Sequence, residues 1–255
     1  MLTIFTHIPK TAGTSFFRRV FHPNVEPNEI LSQTSLLSFR RSLRPDHRVV
    51  TGHRAFGLHR LTRRPCRYVT MLRQPVDRAI SAYHFILQCD PALCEHTLYD
   101  IARRNSISDF YSMPRFQNEM TQMLAGMEYE LMRRYIGQPW FEKRMLDRAK
   151  YNLEHRYIAF GIKEEFATSA AHVSRALGFP ADPPADETGR RHKQTRARPT
   201  INGLSEQTRR TLIESHQLDM ELYEFACELF QRRIQTQQTV APSPTRSAPT
   251  STSNA

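Results

Sequence analysis

The chain has 255 residues, 39% hydrophobic and 24% charged, with a formal net charge of +11 and a pI near 9.9. That length supports one well-cored domain without requiring two, and the balance is ordinary for a globular protein with a somewhat low apolar share. No run of about 18 apolar residues could span a membrane, and residues 1–10 lack the charged and apolar regions of a signal peptide, so the chain reads as soluble and cytoplasmic, while its positive charge predicts an anionic partner of unspecified kind.

The first predicted element is a short β-favouring run that opens Thr3 to Phe17, TIFTHIPKTAGTSFF. A turn carrying Lys10, Thr11, Ala12, Gly13, Thr14 and Ser15 follows, and then an apolar helical start from Thr14 to Phe21. A helix N-terminus offers unpaired backbone N–H groups and the positive end of its dipole, so a loop placed there binds phosphate or sulfate. Lys10 adds a full charge, Gly13 lets the backbone approach closely, and the hydroxyls of Thr11, Thr14 and Ser15 can donate. Lysine is otherwise present only at 143, 150, 163 and 193 in an arginine-rich chain, so Lys10 stands out. The order differs from the Walker pattern, because the glycine follows the lysine; a nucleoside triphosphate is not the natural first guess. The plainer alternative is an ordinary helix capped by Thr and Ser after an edge strand.

Pro23 and Pro27 stop the first helix, and the spacing of Ile30, Leu31, Leu36, Leu37 and Phe39 predicts an amphipathic helix over Glu29–Leu43. Arg48–Gly52 is a short strand ending at His53, and Arg67–Leu72 a stronger one ending at Arg73. Gln74 and Pro75 open a helix that runs to Gln88, since proline suits the first helical position. Thr97–Arg104, Met113–Leu124 and Gln138–Leu153 continue mostly helical, Arg156–Ile162 is the next strand, and Glu164–Leu177 is a helix. Strands separated by helices imply parallel pairing, hence an α/β class with a small sheet. Pro180–Pro199 combines acidic residues and prolines with a basic run, RRHKQTRAR, and reads as a loop. Ser205–Arg233 has a helical packing face, and beyond Gln235 the Thr, Ser, Pro and Gln composition predicts disorder. The expected organisation is one domain over 1–235 and a disordered tail over 236–255. Cysteines at 66, 89, 94 and 227 do not form a zinc pattern; Cys89 and Cys94 could pair, or all remain reduced.

The second constellation is Leu72–Phe85, LRQPVDRAISAYHF, in which Arg73 ends a strand and Ser81 lies about two turns into the next helix. Ligands of parallel sheets bind beyond the carboxyl ends of the strands, so Arg73 faces the same crevice as the Lys10 loop. Two anion sites on one sheet edge suggest a ligand with separated anionic groups. The alternative for Arg73 and Ser81 is an ion pair with Asp77 and a buried small residue. Asn118 could touch substrate or cap a turn, and the stripe Tyr83, Phe85 and Leu87 reads as core.

HIPKTAGTSF, GHRAFG, MLRQPVDRAISAYHF, RFQNEMTQMLAG, YIAFGIKEEF and DMELYEFA, in that order over roughly Thr3–Phe230, resemble the carbohydrate sulfotransferase family that includes heparan sulfate 2-O-sulfotransferases and their bacterial relatives. The resemblance implies a P-loop-like, three-layer fold with a small central parallel sheet, a bacterial-type member, and 3'-phosphoadenosine 5'-phosphosulfate (PAPS) as co-substrate without a metal. It places the 5'-phosphosulfate on Lys10, Thr11, Ala12, Gly13, Thr14 and Ser15 and the 3'-phosphate on Arg73 and Ser81. A late basic loop would add Arg191, Lys193 and Thr195. Lys10 is the expected stabiliser of the leaving phosphate. His53 is the expected base for the acceptor hydroxyl, with His47 as its rival and His7 ordering the turn. The expected partner is a hydroxyl-bearing acceptor, a saccharide before others, guided by Arg54, Arg60, Arg63, Arg64, Arg103 and Arg104 or flanked by them as a solvated face. A nucleotide kinase with an altered P-loop and a basic nucleic-acid-binding protein are the competing readings. The first lacks a strand-end carboxylate and the second a recognisable binding module.

Overall fold

The computed structural model describes residues 1–32, 36–89, 96–180 and 199–240, with the side chains of 36–38 and 238–240 left aside. Five strands, β1 (Leu2–Thr6), β2 (Ile30–Ser32), β3 (Val49–Gly52), β4 (Cys66–Leu72) and β5 (Tyr157–Ile162), form one sheet in the order β2-β3-β1-β4-β5. Every pairing is parallel, with Ile4 opposite Val50 on one side and Tyr68 on the other. Parallel neighbours require crossovers. Helices α1 (Gly13–Val20) and α2 (Leu36–Ser42) lie between β1 and β3, and α3 (Pro75–Gln88), α4 (Tyr99–Arg104), α5 (Ile107–Ser112), α6 (Glu119–Ala125), α7 (Met127–Leu131) and α8 (Pro139–His155) between β4 and β5. After β5 come α9 (Phe166–Leu177), α10 (Glu206–Glu214) and α11 (Gln217–Val240).

Side chains alternate across a strand, and the core divides accordingly. Ile4, Val50, Tyr68, Leu72, Phe160 and Ile162 pack with α6, α8 and α11 on one face. Phe5, Val49, Val69, Met71 and Ala159 pack with Phe16, Phe17 and Val20 of α1 and Val173 of α9 on the other. Helix, sheet, helix is thus the layer order, as expected for an α/β protein with both sheet faces covered. A third cluster joins Val76 and Ile80 of α3 to Phe110 and Tyr111 of α5 and Leu212 of α10.

Three stretches depart from the sequence reading. The predicted helix over Glu29–Leu43 begins instead with β2, which pairs only with β3 at the sheet edge; helix starts at Leu36. A three-residue edge strand has too few positions to show period two against a helical neighbour. The predicted helix over Ser205–Arg233 is broken at Ser215 and His216. The break is fixed from far away: the Asn118 side-chain carbonyl accepts hydrogen bonds from the backbone N–H groups of Leu218 and Asp219, both at 3.1 Å. Asn118 therefore caps α11 rather than facing a ligand. Finally, α11 runs to Val240, past the boundary at 235, and 241–255 lie outside the described residues.

His216 gives the fold a pH dependence. It is fully buried, its Nδ1–H donates to the Leu212 carbonyl at 2.9 Å, and its ring meets the edge of Tyr111 at 4.8 Å. Burial first, and then the Arg78 charge, push its pKa down to about 3, against the opposing pull of Glu119. Between the ordinary imidazole value of about 6.5 and that folded value, the unfolded chain binds a proton that the folded chain refuses. Stability is therefore complete above the window and falls as pH drops through it; burial of His172 acts in the same direction. Urea midpoints should fall from neutral pH to about pH 4, and His216→Gln should flatten that slope. An identical slope in the variant would remove His216 from the effect.

Candidate active site

The first part of the site is the loop between β1 and α1. Lys10 and Ala12 both adopt left-handed backbone, with φ of 64° and 65°. A non-glycine residue held there costs on the order of 1–3 kcal/mol and is kept only where the surroundings impose it. Here the imposed shape turns the chain from β1 into α1 and presents the helix N-terminus to the crevice. Among the described residues no side chain caps that N-terminus, and its first turn contains no acidic residue. The first N–H groups and the positive dipole end thus face an anion position. Gly13 is required sterically, because a Cβ there would lie 2.3 Å from the His7 ring. Lys10 extends its ammonium over the Phe85 ring at 4.0 Å. Thr14 and Ser15 line the crevice. Thr11 departs from its expected role as a hydroxyl donor to the ligand: its side chain is fully buried and its Oγ1–H donates to the Ile8 carbonyl at 2.9 Å, bracing the turn.

The second part comes from the end of β3. His53 is exposed, and its Nδ1 lies 2.6 Å from the His7 backbone carbonyl, while the two rings approach to 4.5 Å. A carbonyl can only accept, so Nδ1 carries the proton and Nε2 keeps its lone pair. That tautomer is the one a proton acceptor needs. His7 in turn stacks on Phe5 of β1 at 5.4 Å. The rival histidine is elsewhere: His47 precedes β3, at the opposite end of the strand, is buried, and accepts a hydrogen bond from the Arg44 N–H at Nδ1. Burial also holds its pKa below the ordinary imidazole value. It does not line the crevice.

The third part follows β4. Gln74 caps α3 by accepting from the Asp77 N–H at 2.7 Å, and Pro75 occupies the first helical position. Arg73, 5% exposed, donates to the Lys10 carbonyl at 3.0 Å and to the Asp77 carboxylate at 3.2 Å. The expected ion pair with Asp77 therefore exists, and the same guanidinium also ties the end of β4 to the first loop. Ser81 lines the crevice one helical face further along.

These parts surround one cavity of about 930 Å³ at the carboxyl ends of β1, β3, β4 and β5. Its volume lies in the range of small-molecule sites. Sequence reasoning missed several of its walls. Phe85, read as core, forms the platform under Lys10, whereas its neighbour Tyr83 is indeed buried, its hydroxyl donating to the Asn105 carbonyl at 2.7 Å. Lys163 and Phe166 enter from the end of β5, where the strand-end argument applied to Arg73 would have found Lys163. Arg115, Glu119, Gln122, Glu130 and Arg133 line the side formed by α6 and α7. Glu119 is held by Arg78, which is fully buried and also lies 4.0 Å from the buried Asp219 carboxylate. The arginines expected to guide an acceptor do not line this cavity: Arg60 pairs with Glu128, and Arg64 donates to the Arg44 and His47 carbonyls. Arg191, Lys193, Thr195 and the Cys89–Cys94 pairing lie outside the described residues. Among the described residues, no helix is long and apolar enough to cross a membrane, and no group of His, Cys, Asp and Glu is arranged to hold a metal.

Comparison with known proteins bears on this arrangement. The family described as "Sulfotransferase family" matches residues 3–226. The heparan sulfate 2-O-sulfotransferase 1 of Homo sapiens is 25% identical over 265 residues, covering 91% of this chain and 71% of that protein. The heparin sulfate O-sulfotransferase of Drosophila melanogaster is 24% identical over 261 residues, covering 91% and 72%.

Proposed function

This chain belongs to the sulfotransferase family, and from that premise we propose that it moves a sulfuryl group from PAPS to a hydroxyl of a saccharide, with the cavity at the sheet edge as its active site. The observation that carries the reading is the convergence of the Lys10 loop, His53 and Arg73 on that cavity from three adjacent strand ends. The donor has two anionic ends, and the cavity has two places for them. The 5'-phosphosulfate fits the α1 N-terminus with Lys10, Gly13, Thr14 and Ser15, and with the backbone of Thr11 and Ala12. Arg73 and Ser81 suit the 3'-phosphate, since a guanidinium grips phosphate through paired N–H donors. Arg191, Lys193 and Thr195 belong to the same nucleotide site in this reading. The saccharide acceptor is supported by the names of the relatives.

In the reaction the acceptor oxygen bonds to sulfur while the bridging bond from sulfur to the 5'-phosphate oxygen breaks. His53 Nε2 takes the hydroxyl proton, the role for which its hydrogen bond to His7 prepares it. Charge grows on the departing phosphate, where Lys10 and the helix N-terminus face it. Positioning carries the rest, as in phosphoryl transfer. A kinase reading is not favoured, because the strand ends present His53 and Arg73 where a magnesium site would want a carboxylate. A nucleic-acid reading has only the net charge behind it.

Titration calorimetry tests the donor assignment. Adenosine 3',5'-bisphosphate should bind without magnesium and more tightly than ATP or duplex DNA. Preference for ATP with magnesium would overturn it.

A further inference from the structure

A second concavity lies on the outer side of the wall that bounds the acceptor half of the cavity. The wall is the segment from Met127 to Tyr135: Glu130 and Arg133 line the cavity, whereas Glu128, Tyr129 and Met132 line an outer groove of about 630 Å³. The groove is floored and walled by aromatic rings of α8. Trp140 is 51% exposed and Tyr151 42%, and both are large apolar surfaces left facing solvent. Trp140 is held against the buried Phe141 and against Tyr135, at 5.7 and 5.5 Å between ring centroids. Exposed aromatic surface gathered in one place marks an interaction site rather than scattered surface residues.

The charge around these rings selects the occupant. Arg144 and Arg148 line the groove, and Arg148 and Arg156 lie 5.6 and 5.9 Å from the Tyr151 ring. Of the acidic residues there, Glu128 is already paired with Arg60 at 3.0 Å, leaving Asp147 against the arginines. The groove thus combines flat apolar faces with a net cationic rim. A pyranose ring has the complementary surface, since its C–H face lies on an aromatic ring while carboxylate or sulfate substituents reach the arginines.

We propose that this groove is an outer subsite for an acidic saccharide chain, binding sugar units beyond the one whose hydroxyl reaches His53, and that it makes the enzyme prefer an extended acceptor over a short one. The proposal rests on the saccharide reading of the acceptor. Its premise is geometric: one short segment separates the two concavities, so a chain leaving the cavity needs only to cross Met127–Tyr135 to reach Trp140.

Trp140 is the single tryptophan of the chain, so its fluorescence reports on the groove independently of turnover. Acidic oligosaccharides long enough to leave the cavity should change that emission saturably, and a disaccharide should not. In Trp140→Ala, and separately in Arg148→Glu, the KM for the long acceptor should rise about tenfold relative to that for the disaccharide, roughly the cost of one aromatic or arginine anchor. Turnover of both acceptors with an unresponsive Trp140 and an unchanged KM ratio would overturn the subsite alone. An emission change that follows protein concentration without saccharide would also overturn it, assigning the groove to a second copy of the chain. Failure of the wild type to sulfate any saccharide would count against the functional reading and is distinguishable from both.

Discussion

Lys10→Ala should lower sulfuryl transfer on the order of 10²–10³-fold while leaving the melting transition nearly unchanged. The size follows from removing one preorganised charge at the atom where negative charge develops. The stability expectation follows from the loop. Lys10 sits in left-handed backbone at φ 64°, and alanine meets the same steric cost there as lysine, so the substitution adds no new backbone strain. What is lost in the fold is the contact of the ammonium with the Phe85 ring at 4.0 Å, worth about 0.5–2 kcal/mol. The carbonyl that accepts from Arg73 belongs to the backbone and survives the substitution. Single-turnover rates and a thermal melt check both halves. Turnover at the wild-type rate would take Lys10 out of the chemistry, whatever it contributes to binding.

His53→Ala should lower kcat by about 10²–10⁴-fold, the usual worth of a positioned general base, with donor affinity retained. The separation is expected because His53 comes from β3, whereas the anion positions come from the loops after β1 and β4. Its Nδ1 is engaged by the His7 carbonyl at 2.6 Å, leaving Nε2 as the atom available to the acceptor. His47→Ala serves as the contrast: that residue accepts from the Arg44 N–H at the other end of β3 and should affect stability rather than rate. A loss in His53→Ala confined to the KM of the donor would reassign the residue to nucleotide binding.

Both substitutions lie in stretches whose meaning was local. HIPKTAGTS and the strand-to-helix junction at Arg73 could be read from a few adjacent residues, because β-branched runs, Pro75 and a glycine turn announce strand ends and helix starts within one window. Their meeting at one edge followed from the parallel class alone. What escaped was set by distance. Nothing near Asn118 says that its side chain caps a helix a hundred residues later. Nor does anything near Thr11 say that its hydroxyl is spent on Ile8. The three-residue β2 exists because β3 offers it an edge to pair with, not because Ile30–Ser32 is a strong strand former. Phe85 was read as core because an aromatic at helical spacing usually is; only the approach of Lys10 from another element makes it a cavity wall. The acceptor side was the least legible. Arg115 and Arg133 reach it through α6 and α7, whereas the arginines clustered after β3 turn to Glu128 and to backbone carbonyls.

The central claim is the transfer itself. Donor labelled with radioactive sulfur should be incubated with the enzyme and an acidic polysaccharide, and label in the polysaccharide measured beside the adenosine 3',5'-bisphosphate released. The account predicts equal amounts of the two with the wild type and neither with Lys10→Ala above the reduced rate expected for it. Release of the nucleotide without label in any saccharide, or no release at all, would contradict it.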